Sequence, residues 1–165
     1  MRLTALLTQP GGIAEQGMDV EIRLRYLGPG GIPHVRDVAA VMHPIAEGDL
    51  QRCATLARAA RAPTVDPDGK PVPPLSGLGQ GPEELIQLLR ISLRDPSDLS
   101  RLLIEDERDM AVLRSGLVGP QYDTLWAKYR QLIRQEYPDI VTDKDVKDLE
   151  NEARLFTKSD QPVRG

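Results

Sequence analysis

Acidic side chains in the second half of the chain are the residues whose types and spacing could do chemistry. Asp106 interrupts an apolar stripe that otherwise continues from Leu99 to Leu117 at helical spacing. A carboxyl group held in apolar surroundings keeps its proton more readily and could act as a general acid. Because ionisable groups are rarely buried without a partner, we favour a break between two short helices at Glu105–Asp106, which leaves Asp106 in solvent.

Two groups of carboxylates could also gather a divalent cation. The residues of the first group, Glu105–Asp109, surround a helix instead of converging from a loop, which is typical of a solvated helix face. The second group lacks the central glycine and the alternating spacing of a calcium loop. It contains Asp143, Asp145 and Asp148. We interpret this second group as an acidic helix face and as a candidate docking site for a basic protein partner.

Other chemical groups are present at spacings that do not form a recognisable site. Three glycines within residues 77–81 precede a predicted helix, but no Gly-Lys-Ser/Thr follows, so a flexible linker is favoured over a nucleotide site. His34, His43 and Cys53 offer only three ligands, at spacings foreign to common zinc sites. No trio of serine, histidine and acid forms a local motif. We therefore expect no catalytic residue, no cofactor and no metal, and a protein that is not an enzyme.

Composition narrows the class of protein further. With 165 residues the chain is long enough for one domain with its own core, and its single cysteine, Cys53, excludes an internal disulfide and favours a reducing compartment. No apolar run is long enough for a membrane span or a signal peptide, so we expect a soluble, cytoplasmic protein. Residues 82–157 carry 11 basic and 16 acidic groups, which makes nucleic acid an improbable partner.

The N-terminal part, residues 18–61, predicts a hairpin and a helix. Residues 1–17 form an extended lead-in, and a translation start at Met18 instead of Met1 stays open. Residues 19–26 alternate between apolar and polar side chains, which predicts a half-buried strand that turns at Gly28–Gly31 and returns over His34–Met42. Because an isolated hairpin is marginally stable, it must pack on a helix or pair with another chain. A helix follows over 48–61, with Asp49 as its N-cap.

Residues 62–157 divide into a linker and a helical part. Residues 62–81 are rich in proline and glycine and predict a surface loop with a turn at Asp66–Gly69. Residues 82–157 predict a compact bundle of about four helices, in which the second helix is capped by Ser97 or Asp98 and the last begins at Thr142. Residues 158–165 form a tail. The predicted class is therefore a mainly helical α+β protein.

The helix predicted over residues 119–137 carries the strongest periodic signal. Tyr122, Trp126 and Tyr129 lie on one stripe, which usually means core packing. Tyrosine and tryptophan are also enriched at contact hot spots, so these three residues are candidates for protein interaction as well.

The order of these parts resembles the small tail assembly chaperones of long-tailed bacteriophages and related prophage elements. The similarity spans roughly Val35 to Phe156 and includes the segment HPIAEGDLQRCATLARAA and the pattern Y-x(2)-LW-x(2)-Y, while the Pro/Gly-rich insert and residues 1–17 depart from the family. The resemblance implies a non-enzymatic protein of the host-cell cytoplasm that coats the tape-measure protein and recruits tail-tube subunits. In many members of that family a ribosomal frameshift also makes a longer form.

Two alternatives remain at this stage. The chain could be a structural subunit of a phage neck or tail, or a small enzyme or metal-binding protein that uses the Glu105–Asp109 carboxylates. Self-association into a homo-oligomer is open under either of the interaction hypotheses.

Overall fold

The computed structural model describes residues 2–138 and Asn151. These residues form a mainly helical α+β structure that begins with a hairpin and a helix, which confirms the predicted class. A short 3-10 turn at Pro29–Gly31 closes the hairpin. The elements in chain order are α1 (Leu3–Leu7), β1 (Met18–Leu27), β2 (Pro33–Met42), α2 (Glu47–Arg61), β3 (Thr64–Val65), β4 (Pro71–Val72), α3 (Gln80–Ser92), β5 (Leu93–Asp95), β6 (Asp98–Leu102), α4 (Glu107–Gly116) and α5 (Gly119–Glu136).

The main sheet has four antiparallel strands in the order β1-β2-β5-β6. Strands β1 and β2 pair along their whole length, from Met18 opposite Met42 to Leu27 opposite Pro33. Only Val41 and Met42 of β2 also pair with β5. The end of the hairpin near Met42 is therefore part of the four-stranded sheet, while the end that carries the turn extends beyond the neighbouring strands.

The core lies between this sheet and the helices, with α3 at its centre. Because α3 is covered on several sides, apolar residues around its middle turn are inaccessible to solvent. They include Leu85, Ile86, Leu88 and Leu89. The buried face of α2 consists of small side chains, Cys53, Ala57 and Ala60, which permits the close packing of α2 on α3 that the structure shows.

Helix α2 begins two residues earlier than its predicted cap. Ala46 is the N-cap, and no side chain caps the helix, so the prediction of Asp49 as N-cap is wrong. Asp49 and Glu47 instead lie in the first turn, where the positive end of the helix dipole favours carboxylates.

The largest correction concerns residues 97–106, which were predicted to begin a helix at Ser97 or Asp98. They form strand β6 and a short connection instead. The Asp95 carboxylate accepts hydrogen bonds from the backbone N–H and the hydroxyl of Ser97, and a local turn of this kind competes with helix formation. Helix α4 begins only at Glu107, so the predicted break at Glu105–Asp106 is present, with a strand before it.

The Pro/Gly-rich segment contains a small hairpin. Strands β3 and β4 enclose the predicted turn, in which the Asp66 carboxylate accepts hydrogen bonds from the backbone N–H groups of Asp68 and Lys70. Gly69 has a φ of 81°, which a residue with a side chain rarely adopts. The turn prediction at Asp66–Gly69 is confirmed.

The aromatic helix is confirmed as α5. The C-terminal end of α5 contacts residues 15–17 of the N-terminal lead-in. Residues predicted to be extended include Leu3–Leu7, which instead form the exposed helix α1. At the other end of the lead-in, Tyr137 donates its hydroxyl proton to Glu15 at 2.6 Å and the Gly17 N–H donates to the Glu136 carboxylate at 3.1 Å. The helix predicted from Thr142 lies outside the described residues.

Candidate interaction surface

The outer part of the β1–β2 hairpin, residues 24–36, forms an arm that exposes apolar side chains. Beyond Leu24 its strands pair only with each other, and all but two of its residues are exposed. The exposed fractions are large for apolar residues: Tyr26 48%, Leu27 69%, Ile32 60% and Val35 62%. Tyr26 lies on the same face of the hairpin as Leu24, while Leu27 and Val35 lie on the opposite face. Exposed apolar side chains of this kind are typical of sites that contact another molecule.

The arm has a defined conformation because its two strands are locked by local contacts. The rings of Tyr26 and His34 stack with their centroids 5.5 Å apart. A Cβ atom on Gly28 would lie only 2.3 Å from the His34 ring, so the absence of a side chain at Gly28 makes room for this stack. Gly30 and Gly31 both have positive φ, which allows the chain to reverse direction at the tip.

An apolar cavity of about 170 Å³ lies where the arm joins the body. Because side chains alternate along a strand, Ile22, Leu24 and Tyr26 share one face of β1, and the first two of them line the cavity. Helix α4 and the segment before it supply the opposite wall. The wall residues are Leu103, Ile104, Asp109, Val112 and Leu113. An apolar cavity of ~150 Å³ is large enough to hold benzene, so this one can accept a ring-sized apolar group.

The arm and the cavity carry charges of opposite sign. The arm carries Arg25 and Arg36 and no acidic residue. The segment beside the cavity is acidic, with Glu105, Asp106 and Asp109 close together in sequence and Asp109 in the cavity wall. We refer to these three carboxylates as the acidic rim.

The outer edge of β1 is closed at the base of the arm. The Gln121 side-chain amide donates to the Arg23 carbonyl at 2.7 Å and accepts from the Arg23 N–H at 3.0 Å, so it pairs with β1 as a neighbouring strand would. Leu117 forms an isolated antiparallel bridge with Leu24. A Cβ atom on Gly116 would lie 3.1 Å from the Arg25 carbonyl oxygen, so a glycine suits this close approach. The arm is therefore fixed to the α4–α5 connection at its base.

A buried polar cluster supports the cavity wall from behind. Glu83, which is fully buried, accepts hydrogen bonds from the Arg114 guanidinium, from the Ser76 hydroxyl at 2.7 Å and from the Gln87 amide at 2.9 Å. Arg114 also bonds Glu107. Every member of this cluster has protein partners, which is the pattern of a structural network rather than of an open site. Sequence reasoning missed it because Glu83 and Arg114 are far apart in the sequence and no local pattern links them.

The three aromatic candidates on α5 occupy different environments. Tyr129 is buried in the core, and its hydroxyl accepts a hydrogen bond from the Ile45 N–H at 3.2 Å. Trp126 is partly buried, and its ring meets that of Tyr129 edge-on at a centroid distance of 6.4 Å. Tyr122 is also partly buried, and its hydroxyl has no hydrogen-bond partner among the described residues. Core packing accounts for Tyr129, while part of Trp126 and Tyr122 stays accessible for contact.

The Glu105–Asp109 carboxylates are used in local structure. Asp106 is exposed and caps α4, since its side chain accepts from the Asp109 N–H at 3.1 Å, so the hypothesis of a buried acid at Asp106 is wrong. Asp109 in turn accepts from the Glu105 N–H at 2.8 Å, and Glu105 pairs with Arg101. Within residues 2–138 and Asn151, no three or more histidine, cysteine or acidic side chains are grouped so that they could hold a metal ion.

The remaining sequence candidates are not brought together. His34 lies in the exposed arm, His43 follows β2, and Cys53 is a free thiol buried in α2, as predicted. Gly81 lies in the first turn of α3 rather than before it. The acidic candidates Asp143, Asp145 and Asp148 lie outside the described residues.

Two further findings concern the chain as a whole. None of the helices in the described part is both long enough and apolar enough to cross a membrane. Comparisons with protein-family models, with curated proteins and with solved structures found no match.

Proposed function

We propose that this chain is a non-enzymatic assembly protein, and specifically a tail assembly chaperone of a long-tailed phage or prophage-like element that binds tape-measure and tail-tube proteins. The single observation that carries the interaction role is the arm. It exposes apolar side chains on both of its faces, and one of them, Tyr26, lies on the strand face that also lines an apolar cavity able to receive a ring-sized group. The phage setting comes from the resemblance in the order of elements and in the aromatic segment of α5.

The surface suits reversible binding of an extended or helical partner. Tyr26, Leu27, Ile32 and Val35 supply apolar contact area on a fixed β-hairpin, so little conformational freedom is lost when a partner binds. The cavity at the base of the arm provides a pocket for an anchoring side chain, and buried anchors carry most of the energy at protein interfaces. The adjacent charges favour correct orientation during encounter.

A structural subunit of a phage neck or tail is the second candidate. An exposed arm would serve permanent attachment to a neighbouring subunit equally well, so the surface alone favours neither role. The two differ in their fate, since a chaperone leaves the assembled tail and a subunit remains in it. The enzyme and metal-binding alternatives rested on Glu105–Asp109, whose carboxylates make the local contacts described above.

The test is affinity capture of the tagged chain from its producing cells, with bound proteins identified by mass spectrometry. A variant with Tyr26→Ser and Val35→Ser reports on the arm, and Val65→Ser, at a similarly exposed valine in the small β3–β4 hairpin, is the matched control. We expect the wild-type chain and the control to recover tape-measure and tail-tube proteins and the arm variant to lose them.

Purified particles from the same cells separate the two candidates. A chaperone is absent from finished particles, whereas a structural subunit is present at a fixed number of copies. Capture that recovers neither tape-measure nor tail-tube protein, with no copy of the chain in the particles, would contradict both phage roles.

A further inference from the structure

We propose that a second copy of this chain occupies the apolar cavity, with the Tyr26 ring of one copy, held against His34, seated in the cavity of the other. This inference rests on the proposed interaction role in that it assigns an occupant to the same surface. It concerns the molecule by itself, so it can be tested without any partner from a phage.

The first argument is the placement of stack and cavity. Leu24 lines the cavity, and Tyr26 lies two residues further along the same face of β1, roughly 7 Å away along the strand. His34 is opposite Tyr26 in the antiparallel register, so its ring lies on that face as well. A two-fold axis between stack and cavity brings each stack opposite the cavity of the other copy, which is the self-complementary arrangement that closed dimers require.

The second argument is size. The stack is the only aromatic pair in the arm, and it is held in place by the room that Gly28 leaves for the His34 ring. The cavity, at about 170 Å³, accepts one ring and not a whole helix. A fixed aromatic side chain at a protruding position is therefore the kind of group that fits it.

The third argument is charge. On the face that carries the stack, the arm has Arg36 and no acidic residue, while the acidic rim beside the cavity carries Glu105, Asp106 and Asp109. When two arms cross with opposite direction, the basic arm of each copy lies against the acidic rim of the other. Both members of this complementary pair belong to the same chain, which favours a second copy over an unrelated occupant.

The test is sedimentation velocity of the purified full chain over a wide concentration range, with circular dichroism as a check on folding. Tyr26→Ser removes the stack, and Val112→Arg places a charged side chain at the mouth of the cavity, where Val112 is 51% exposed. Val65→Arg makes the same substitution at another exposed valine, away from the arm. We expect reversible association of the wild type, a dissociation constant raised at least about tenfold in the first two variants, and no change in the control.

Charge reversal tests the direct contact between arm and rim. Arg36→Glu and Glu105→Lys each weaken association, and the chain that carries both substitutions recovers it, because every copy then offers a reversed arm and a reversed rim. Glu105 is chosen because its pair with Arg101 is on the surface and contributes little to folding.

Two results would overturn the inference. One is a wild-type chain that is monomeric at every concentration. The other is self-association that Tyr26→Ser and Val112→Arg leave unchanged, or that the double charge reversal fails to restore. A monomeric chain that still captures tape-measure protein removes this inference and leaves the proposed function standing. Self-association without capture of phage proteins does the reverse.

Discussion

Arg114 of α4 donates hydrogen bonds to both carboxylate oxygens of Glu83 in α3, with Nη2 2.8 Å from Oε1 and Nε 3.0 Å from Oε2. The two side chains are 8% and 0% exposed. Since the Ser76 hydroxyl and the Gln87 amide complete the shell of the carboxylate, this ion pair joins the loop before α3 to α3 itself and to the helix that forms the cavity wall.

Glu83→Ala should destabilise the fold strongly. It leaves the Arg114 charge buried without its main partner, and breaking a buried ion pair in this way costs about 3–5 kcal/mol of unfolding free energy. Urea denaturation followed by circular dichroism measures the loss. Glu105→Ala, which breaks an exposed ion pair, is the control and should change stability by less than about 1 kcal/mol. Equal losses in the two variants would show that the buried pair has no special structural role.

The same carboxylate should make stability depend on acid pH. Burial alone would raise the pKa of Glu83, but the hydrogen bonds from Arg114, Ser76 and Gln87 outweigh it, so the pKa lies below its ordinary value of 4.5. A carboxyl group with a lowered folded-state pKa stabilises the fold above its unfolded-state pKa and loses this effect as the pH falls through the folded-state value. We therefore expect the free energy of unfolding to drop as the pH falls below about 4.5.

Glu83→Gln is the comparison for that pH profile. It keeps the shape of the side chain and removes the titrating group, so its stability should be lower near neutral pH and should decline less between neutral and acid pH. Parallel profiles for the wild type and Glu83→Gln would show that other carboxylates cause the acid sensitivity.

Tyr122 and Tyr129 should respond in opposite directions to replacement by phenylalanine. The Tyr129 hydroxyl accepts a hydrogen bond from the Ile45 N–H, so Tyr129→Phe should lower the unfolding free energy by about 1 kcal/mol. The Tyr122 hydroxyl is buried without a hydrogen-bond partner among the described residues. Tyr122→Phe should therefore leave stability unchanged or raise it by up to about 1 kcal/mol. A loss on Tyr122→Phe as large as that on Tyr129→Phe would mean that the Tyr122 hydroxyl is satisfied.

Cys53 should be inert in the folded protein. It is buried against α3, and burial, together with the nearby negative charges of Asp49 and Glu84, raises the pKa of its thiol to about 11. Because the thiolate is the reactive form, a thiol-specific reagent at pH 8 should modify Cys53 only as fast as the protein opens. Labelling in native buffer and in denaturant, followed by mass spectrometry, measures the difference. Rapid labelling under native conditions would contradict the packing of α2 on α3.

The parts of the fold that could be predicted from sequence are those in which one local signal dominates. The alternation over residues 19–26 and the stripe of α5 each had an unambiguous period, and the turn at Asp66–Gly69 had residues suited to it. Residues 97–102 were predicted wrongly because their leucines also fit helical spacing. The turn made by Asp95 and the pairing of Arg94 with Leu102 decide for a strand, and that pairing depends on tertiary structure.

The candidate surface was only partly visible in the sequence. The sequence locates the hairpin and indicates that it must pack on another element. It does not show which residues of β2 pair with a further strand, because that depends on the length of β5. Strand β5 has three residues, so most of β2 has no neighbour on that side. The Glu83–Arg114 pair joins residues 31 positions apart, which no local pattern can reveal.

The arm is the centre of this account, and co-expression with a tape-measure protein tests it most directly. The wild-type chain and the Tyr26→Ser, Val35→Ser variant are each produced with a tape-measure protein, the partner that the proposed function assigns, and the soluble complex is quantified by size-exclusion chromatography. We expect a soluble complex with the wild type and loss of that complex with the variant, while the unfolding midpoint of the variant shifts only slightly, because both side chains are exposed and the stack that Tyr26 makes lies outside the core. Equal amounts of complex with the two chains would contradict the role assigned to the arm.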